Sequence, residues 1–465
     1  MQVTIFEGPA LLNTWRFSMM RCALLLAILG ASWANENGLA RLPPMGWRSW
    51  NLYGANVNQS LIEGIMDGMV KRTRSVDGRP TSLCDLGYCD VGLDDNWQNC
   101  HAGADGNHYH DADGNPVVNL NRFPDLKAMT DHAHKLGLTA GWYGNNCICN
   151  DHNTTAKKFY EGDLKAYRKF GFDSWKLDGC GVQTDMQLWD DLIKSDGGKP
   201  VMVENCHWGS VVPFEPTRTW CPWNFYRTSG DVRAKYSSVV ANLNTVTKFS
   251  SRNLSYPGCW AYPDMLEAGC QHGPGGAGDP GLSLAETRSH FGAWVIVSSP
   301  LTLSHDVNND TIMDQIWPII ANKEAIAVSQ TYAGFSGGPF KSSSLHVVLD
   351  TINHAAVEKG MAEEERTATG HVLAPSFQYF YKPLLADGSR TAVLLMNHGD
   401  SATDLTLDFK DIPGVTCTTC YVRDIWKHVD LGPIELSLVA KNVASHDSVF
   451  LVITPGTSPS DVVVL

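Results

Sequence analysis

Between residues 40 and 330, short apolar runs alternate with longer amphipathic stretches. The runs are "PMGWRSWN" (44–51), "YCDVGLDDNW" (88–97), "LTAGWYGN" (138–145), "SWKLDG" (174–179), "VMVENC" (201–206), "NFYRTSGD" (224–231), "YPDML" (262–266) and "WVIVSSPL" (294–301). Each is strand-length and closes on polar or aromatic residues. Intervening segments such as "FPDLKAMTDHAHKLG" and "EGDLKAYRKFG" have helical spacing, and each stops at a glycine shortly after a basic residue. Eight strands separated by helices predict a (β/α)8 barrel. From about residue 335 the pattern changes to alternating runs, "HVLAPSFQYFYKP", "TAVLLMNHG", "TDLTLDF" and "SVFLVITP", with turn-rich gaps. These predict antiparallel β structure. The chain therefore reads as α/β, a (β/α)8 TIM barrel over 35–332 followed by a C-terminal antiparallel β-sandwich over 333–465.

One strand carries an anomaly. In "DSWKLDGCG" (173–181) a buried run holds Lys176 and Asp178 two residues apart. Residues i and i+2 of a strand share a face, so both charges point into one place. The other acids at predicted strand ends are Asp94, Asp95, Glu204, Asp231 and Asp264, accompanied by Arg227, His207 and Tyr143. The C-terminal strand ends are where a barrel of this kind builds its site. Taken singly, each acid is more often a cap or a salt-bridge partner; their repeated placement on one rim shifts the balance toward function. "DADGN" (111–115) imitates a calcium loop, but its twelfth position is Arg122 where a glutamate is needed. It reads instead as a hairpin turn.

Charge and composition narrow the partners. A net charge of −13 argues against nucleic acid or anionic lipid. Fifteen tryptophans are many; such rings often stack on sugars, though each serves equally well as core. The segment "MMRCALLLAILGASWA" has the basic, apolar and small-residue order of a signal peptide over 1–34, with residues 1–18 an over-long extension ahead of Met19 and Met20. It is too short to span a bilayer comfortably, so no membrane association is expected after cleavage. Removing Cys22 leaves twelve of thirteen cysteines, an even number suited to disulfides in an oxidising compartment. Cys147 and Cys149 lack a second pair at zinc spacing, so no metal is expected. Sequons at Asn58, Asn153, Asn253 and Asn309 fit a glycoprotein of the secretory pathway, extracellular or lysosomal and vacuolar.

Paired carboxylates in a sugar-binding cleft are what glycoside hydrolysis requires. The motifs "LPPMGWRSWN", "GLDDNW", "KLDGCG", "RTSGDV" and "YPDML", in that order, resemble glycoside hydrolase family 27, the α-galactosidases and α-N-acetylgalactosaminidases. The resemblance covers roughly 41–330, and the C-terminal region more loosely. It implies a barrel followed by a β-sandwich and a retaining exo-glycosidase acting on α-galactosides without metal or organic cofactor; it also admits a homodimer. By the same resemblance Asp178 is the nucleophile and Asp231 the acid, then the base. Asp94, Asp95 and Lys176 hold sugar hydroxyls. Arg227 and Asp264 lie near the 2-hydroxyl and the acid, and Trp47 and Tyr143 line the pocket. Cys180 is to pair with Cys147 or Cys149 beside the nucleophile, and Cys206 with Cys221. Cys84 pairs with Cys89 or Cys100, while Cys259–Cys270 and Cys417–Cys420 are proposed from proximity in sequence. Lys176 is expected to keep Asp178 ionised and Asp231 to titrate higher. The two carboxyls of a retaining enzyme stand about 5–5.5 Å apart.

The loop after the fifth strand departs from the family pattern. Where α-galactosidases carry "C-E-W", this chain reads "NCHWGS", with His207 and Ser210 at the positions that sense the sugar's 2-substituent. The bulk of His207 argues against an acetamido group, and a donor to the 2-hydroxyl is expected of it; the small Ser210 argues mildly the other way. Asn96 stands where many animal members have cysteine. The alternatives are α-N-acetylgalactosaminidase, β-L-arabinopyranosidase or isomalto-glucan activity, and, in another class, a galactoside-binding protein without catalysis. That last reading would be expected to lack one of Asp178 and Asp231, and both are present.

Overall fold

The computed structural model describes residues 37–103, 109–151, 153–213, 220–271, 279–349 and 372–456. The predicted signal segment lies outside these residues. After strand β1 (Met45–Arg48) come helices α1 (Trp50–Tyr53) and α2 (Gln59–Val70), then a hairpin of β2 (Arg74–Val76) and β3 (Arg79–Thr81). The chain continues with β4 (Asp90–Gly92), α3 (Leu126–Lys135), β5 (Thr139–Gly144), α4 (Lys157–Phe170), β6 (Ser174–Asp178), α5 (Met186–Ser195) and β7 (Met202–Cys206). Then follow β8 (Phe225–Arg227), α6 (Tyr236–Ser250), β9 (Trp260–Tyr262), α7 (Leu284–Ile296), β10 (Leu301–Leu303), α8 (Asp310–Ile320) and α9 (Lys323–Ser329). Eight of these strands form one parallel sheet in the order β10-β1-β4-β5-β6-β7-β8-β9. At the seam between its edges, Leu266 N donates to Thr302 O (2.8 Å). This is the predicted barrel.

Local chemistry explains the helices. The Asp125 side chain accepts from Ala128 N and starts α3, whose buried residues Leu126, Met129, Thr130 and Ala133 fall on one helical face. α4 ends where Gly171 takes φ +80°, the left-handed stop read from the sequence. "DADGN" is a turn, as expected. Asp111 Oδ1 accepts from Asp113 N and Asn115 N, and His110 and Pro116 bridge across it.

Two predicted strands are misplaced. "WVIVSSPL" begins inside α7, and the strand is Leu301–Leu303. Every residue from Ser289 to Ile296 is buried, so no amphipathic period marks the helix. Its start was legible in Ser283 and Glu286, which form a capping box. "YPDML" contributes only Tyr262 to β9, because Pro263 has no N–H to extend the ladder.

The C-terminal region has strands β11 (Gly338–Ser342), β12 (His346–Leu349), β13 (Val372–Pro375), β14 (Phe377–Pro383) and β15 (Thr391–Asn397). β16 (Thr403–Asp408), β17 (Thr419–Asp424), β18 (Val429–Glu435), β19 (Ser437–Val443) and β20 (Ser448–Pro455) complete it. Six form an antiparallel sheet, β11-β14-β15-β20-β17-β18; β16 pairs with β19 and β12 with β13. β15 is buried throughout because its sheet is covered on both faces. Val393 and Leu395 pack with Leu405, Leu407 and Leu438 in the sandwich core. Ala392, Leu394 and Met396 join the barrel core with Phe291 and Trp294 of α7. Gly292 allows that approach, since an added Cβ would lie 2.9 Å from Leu394 Cδ1.

Disulfides join Cys84–Cys89, Cys100–Cys149, Cys147–Cys180, Cys221–Cys259 and Cys417–Cys420, leaving Cys206 and Cys270 free and buried. The expected Cys206–Cys221 and Cys259–Cys270 bonds are not formed. Cys206 ends β7 and Cys221 precedes β8, so parallel strands put them at opposite ends of the barrel. Cys259, just before β9, shares the end that Cys221 occupies, and Cys270 lies beyond β9 at the other. Alkylation of the denatured, unreduced protein should therefore label Cys206 and Cys270. A non-reduced digest should yield a Cys221–Cys259 peptide and none joining Cys206 to Cys221.

Candidate active site

The residues singled out by the sequence lie at or just beyond the C-terminal ends of the barrel strands. Trp47 is in β1, Tyr143 in β5, Lys176 and Asp178 in β6, and Arg227 ends β8; Asp94, Asp95, His207, Asp231 and Asp264 follow β4, β7, β8 and β9. Lys176 and Asp178 are buried on one side of β6, in register with Glu204 and Cys206 of β7. Lys176 is tied to Asp94: its Nζ lies 2.8 Å from Asp94 Oδ2, while Ser49 Oγ accepts from Asp94 N at 2.9 Å. Both carboxylate oxygens of Asp178 receive donors, Tyr143 Oη on Oδ2 (3.0 Å) and Cys180 N on Oδ1 (3.1 Å). Asn145 Nδ2 bonds the Asp178 carbonyl at 2.9 Å. The Cys147–Cys180 bridge ties the loop after β5 to the loop after β6, beside Asp178.

The electrostatics reverse the expectation for Asp178. Burial raises its carboxyl to about 7, and Lys176 offsets this only in part while Asp94 and Asp231 add to it. Lys176 does lower it, but burial outweighs the lysine, which is itself ion-paired with Asp94. Asp231 goes the other way. Burial raises it, but Arg227, Lys176 and a hydrogen bond from Trp50 outweigh that and leave it below the ordinary value. Its side chain is 45% exposed, so the burial that opposes Arg227 is incomplete.

Arg227 is the second buried cation. Its Nη2 lies 3.0 Å from both Asp231 Oδ1 and Asp264 Oδ2, and its Nη1 donates to Cys206 Sγ at 3.3 Å. Asp264 Oδ2 also accepts from Val232 N at 2.8 Å, and burial raises this carboxyl to about 7 despite Arg227. Asp95 serves the scaffold, taking Cys147 N and Ile148 N on Oδ2 (2.9 Å each) and Asn96 N on Oδ1 (2.7 Å). Trp47 is buried with its Nε1 on His305 O.

His207 is buried and neutral, its pKa lowered to about 4 by burial. Asn205 donates its amide to Val211 O (2.9 Å), so its Oδ1 accepts from His207 Nδ1 (2.6 Å). The imidazole Nε2 is then a bare lone pair, an acceptor and not the expected donor. Ser210 turns its hydroxyl onto His207 O (2.6 Å). Among the described residues, three buried polar atoms of the site have no hydrogen-bond partner: His207 Nε2, Arg227 Nε and Asp264 Oδ1. Unpaired buried groups are rare and costly, and here they are grouped among candidate sugar contacts. The sequence reading quoted Trp50, Asn51 and Asn145 inside its runs without giving them roles; Trp50 in fact bonds Asp231. The grouping of Cys147, Asp178 and Cys180 places two of its three members in a disulfide, which leaves no thiolate to ligate a metal.

Comparison with known proteins agrees with this arrangement. A family described as "Alpha galactosidase A" matches residues 42–331, and "Alpha galactosidase C-terminal beta sandwich domain" matches 375–453. An α-galactosidase of Cyamopsis tetragonoloba is 28% identical over 433 residues, covering 90% of this chain and 88% of its own. The crystal structure of α-galactosidase I from Mortierella vinacea superposes with a TM-score of 0.68 at 26% identity, covering 91% of this chain and all of that one. A β-L-arabinopyranosidase of Geobacillus stearothermophilus, 18% identical, shares the fold with a TM-score of 0.69 over 91% of this chain and 100% of its own. The chain therefore belongs to the α-galactosidase family of glycoside hydrolases, family 27.

Proposed function

We propose that the protein hydrolyses terminal α-D-galactosyl residues with net retention, Asp178 acting as nucleophile and Asp231 as acid and base. The observation that carries this reading is the pairing of a buried acid held by Tyr143 and the Cys180 amide with a half-exposed acid on Arg227. Relatives named α-galactosidases support the substrate. In the first step an Asp178 oxygen bonds to the anomeric carbon as the bond to the leaving oxygen breaks, and Asp231 gives that oxygen its proton. In the second, Asp231 takes a proton from water, which attacks the same carbon and frees Asp178. Neither step calls on a cofactor.

The 2-position separates the related sugars. The lone pair on His207 Nε2 suits a hydroxyl donor, and the imidazole fills space that an acetamido group would need. Galactose is therefore favoured over N-acetylgalactosamine. The exposed side chains of Asn58, Asn153, Asn253 and Asn309 suit glycan attachment in the secretory pathway.

With p-nitrophenyl α-galactoside, α-N-acetylgalactosaminide, β-L-arabinopyranoside and α-glucoside, the α-galactoside should be cleaved preferentially, by about 10²-fold over the acetamido sugar. Asp178→Asn should reduce that activity by about 10³-fold or more. Preference for the acetamido sugar would overturn the reading of His207, and full activity of Asp178→Asn would overturn the nucleophile.

Between the lowered Asp231 and Asp178 at about 7, the resting site carries its proton on Asp178, so the reactive form, with Asp178 ionised and Asp231 protonated, is the minor arrangement of that one proton. The last proton leaves near pH 7, where activity should fall. The first is gained below the ordinary aspartate range, about 3.9, because Asp231 is lowered. A kcat/KM profile should thus be a broad bell centred on the acid side of neutrality. A profile rising through pH 8 would exclude this pairing.

Asp178 also carries a stability cost. Its native pKa of about 7 lies above the unfolded value, so ionising it destabilises the fold progressively from about pH 4 to 7 and fully above. Asp178→Asn should raise Tm at pH 8, and the gain should vanish near pH 4 when calorimetric scans at the two values are compared.

A further inference from the structure

The "SWN" of the first motif and the residues after "YPDML" meet in a buried network that the chemistry above does not use. Asp264 has φ +100°, a backbone conformation that side-chain-bearing residues rarely adopt. It and Glu267 are held by three contacts. Trp294 Nε1 of α7 donates to Asp264 O at 2.6 Å. Three residues on, Glu267 N donates to His290 Nε2 at 2.9 Å, and the His290 ring packs edge-on against Trp294. On the other side Asn51 Nδ2 donates to Glu267 Oε1 at 2.9 Å. Asn51 is itself fixed, since its N–H donates to Ser304 Oγ (3.0 Å), which donates to Arg48 O (2.6 Å). The Glu267 carboxyl is 3% exposed, touches the Cys270 thiol, and has no cation in its hydrogen-bond set. Burial, with Asp264 nearby, raises its pKa well above the ordinary value, which favours the neutral carboxyl.

We infer that Glu267 and Asn51 are positioning residues for Asp264, and through it for Arg227 and Asp231. Asp264 Oδ2 and Asp231 Oδ1 share one nitrogen, Arg227 Nη2. If the 264–267 segment relaxes, Asp264 swings off that nitrogen and Arg227 binds Asp231 alone. Asp231 is then more often ionised and less often carries the proton that the leaving oxygen needs. The inference rests on the assignment of Asp231 as the acid.

The experiment compares Glu267→Gln, Glu267→Met, Asn51→Leu and Asp231→Ala on two substrates, p-nitrophenyl α-galactoside and methyl α-galactoside. The first leaving group needs little protonation and the second needs it fully. Rates are referred to the folded fraction measured by near-ultraviolet circular dichroism. Glu267→Met should lose about 10-fold in kcat/KM on the nitrophenyl substrate and about 100-fold on the methyl one, because acid catalysis contributes about 10²–10⁴-fold. Asn51→Leu, which leaves the 264–267 segment untouched in sequence, should show the same inequality. Glu267→Gln keeps an uncharged acceptor for Asn51 and should stay within about 2-fold of the parent on both. Equal losses on the two substrates, or a Gln variant as impaired as the Met variant, would overturn the inference. Asp231→Ala serves as the control: if it discriminates between leaving groups and Glu267→Met does not, only the positioning role fails. If it does not discriminate, the acid assignment fails with it.

Discussion

The site is organised by the charge of Arg227, which is 1% exposed at the end of β8. A buried guanidinium is tolerated only where carboxylates meet it, and removing one member of such a pair costs about 3–5 kcal/mol. Arg227 meets two, Asp231 and Asp264, through a single nitrogen. That sharing places a rigid, deeply buried acid and a half-exposed one at fixed positions around one cation. Lys176 and Asp94 form a second buried ion pair, its lysine two residues from Asp178 on β6. Asp178 keeps a high pKa because it is buried, and Lys176, itself paired with Asp94, offsets only part of that cost.

The barrel supplies rigidity by packing on both its flanks. α7 is buried along its whole second half, between the barrel and the sheet that carries β15. The same helix donates Trp294 to the Asp264 carbonyl and His290 to the Glu267 amide. Packing of the C-terminal sheet thus reaches the site through one helix, with no loop in between. This gives the sandwich a physical connection to the catalytic rim that its distance in sequence conceals.

Most of the architecture was legible because period and punctuation agreed. α3 and α4 announced themselves by spacing and by glycine stops, and the Lys176–Asp178 pair by its violation of strand chemistry. α7 was read as a strand because complete burial erases the helical period, although its capping box remained visible. Proximity in sequence found Cys417–Cys420 but misled at Cys259–Cys270, and Cys147–Cys180 was one of the two pairings that the family resemblance implied for Cys180. Cys206 and Cys270 show that an even cysteine count does not require every thiol to be paired. Asn51 and Trp50 lay within a quoted motif, but a motif does not say which of its residues touch; that needed the register of β1 against its neighbours.

The relation of Asp178 to Asp231 was the least legible feature, and its physical origin is instructive. From sequence, a lysine two residues from an acid on the same strand face appears to set that acid's charge. In the fold, the pairing is decided by Asp94, which reaches Lys176 from β4's end and saturates it. Asp178 is left with hydrogen-bond donors but no dedicated counter-charge, in a dry position. Once ionised, a carboxylate so placed has no salt bridge to break when it bonds to carbon, but burial keeps it mostly protonated below about pH 7. Asp231, by contrast, is exposed enough to exchange protons with water and is held by a cation that it shares with Asp264. The division of labour follows from which acid the fold leaves without a partner, and that is a property of the β4 and β6 strand ends taken together.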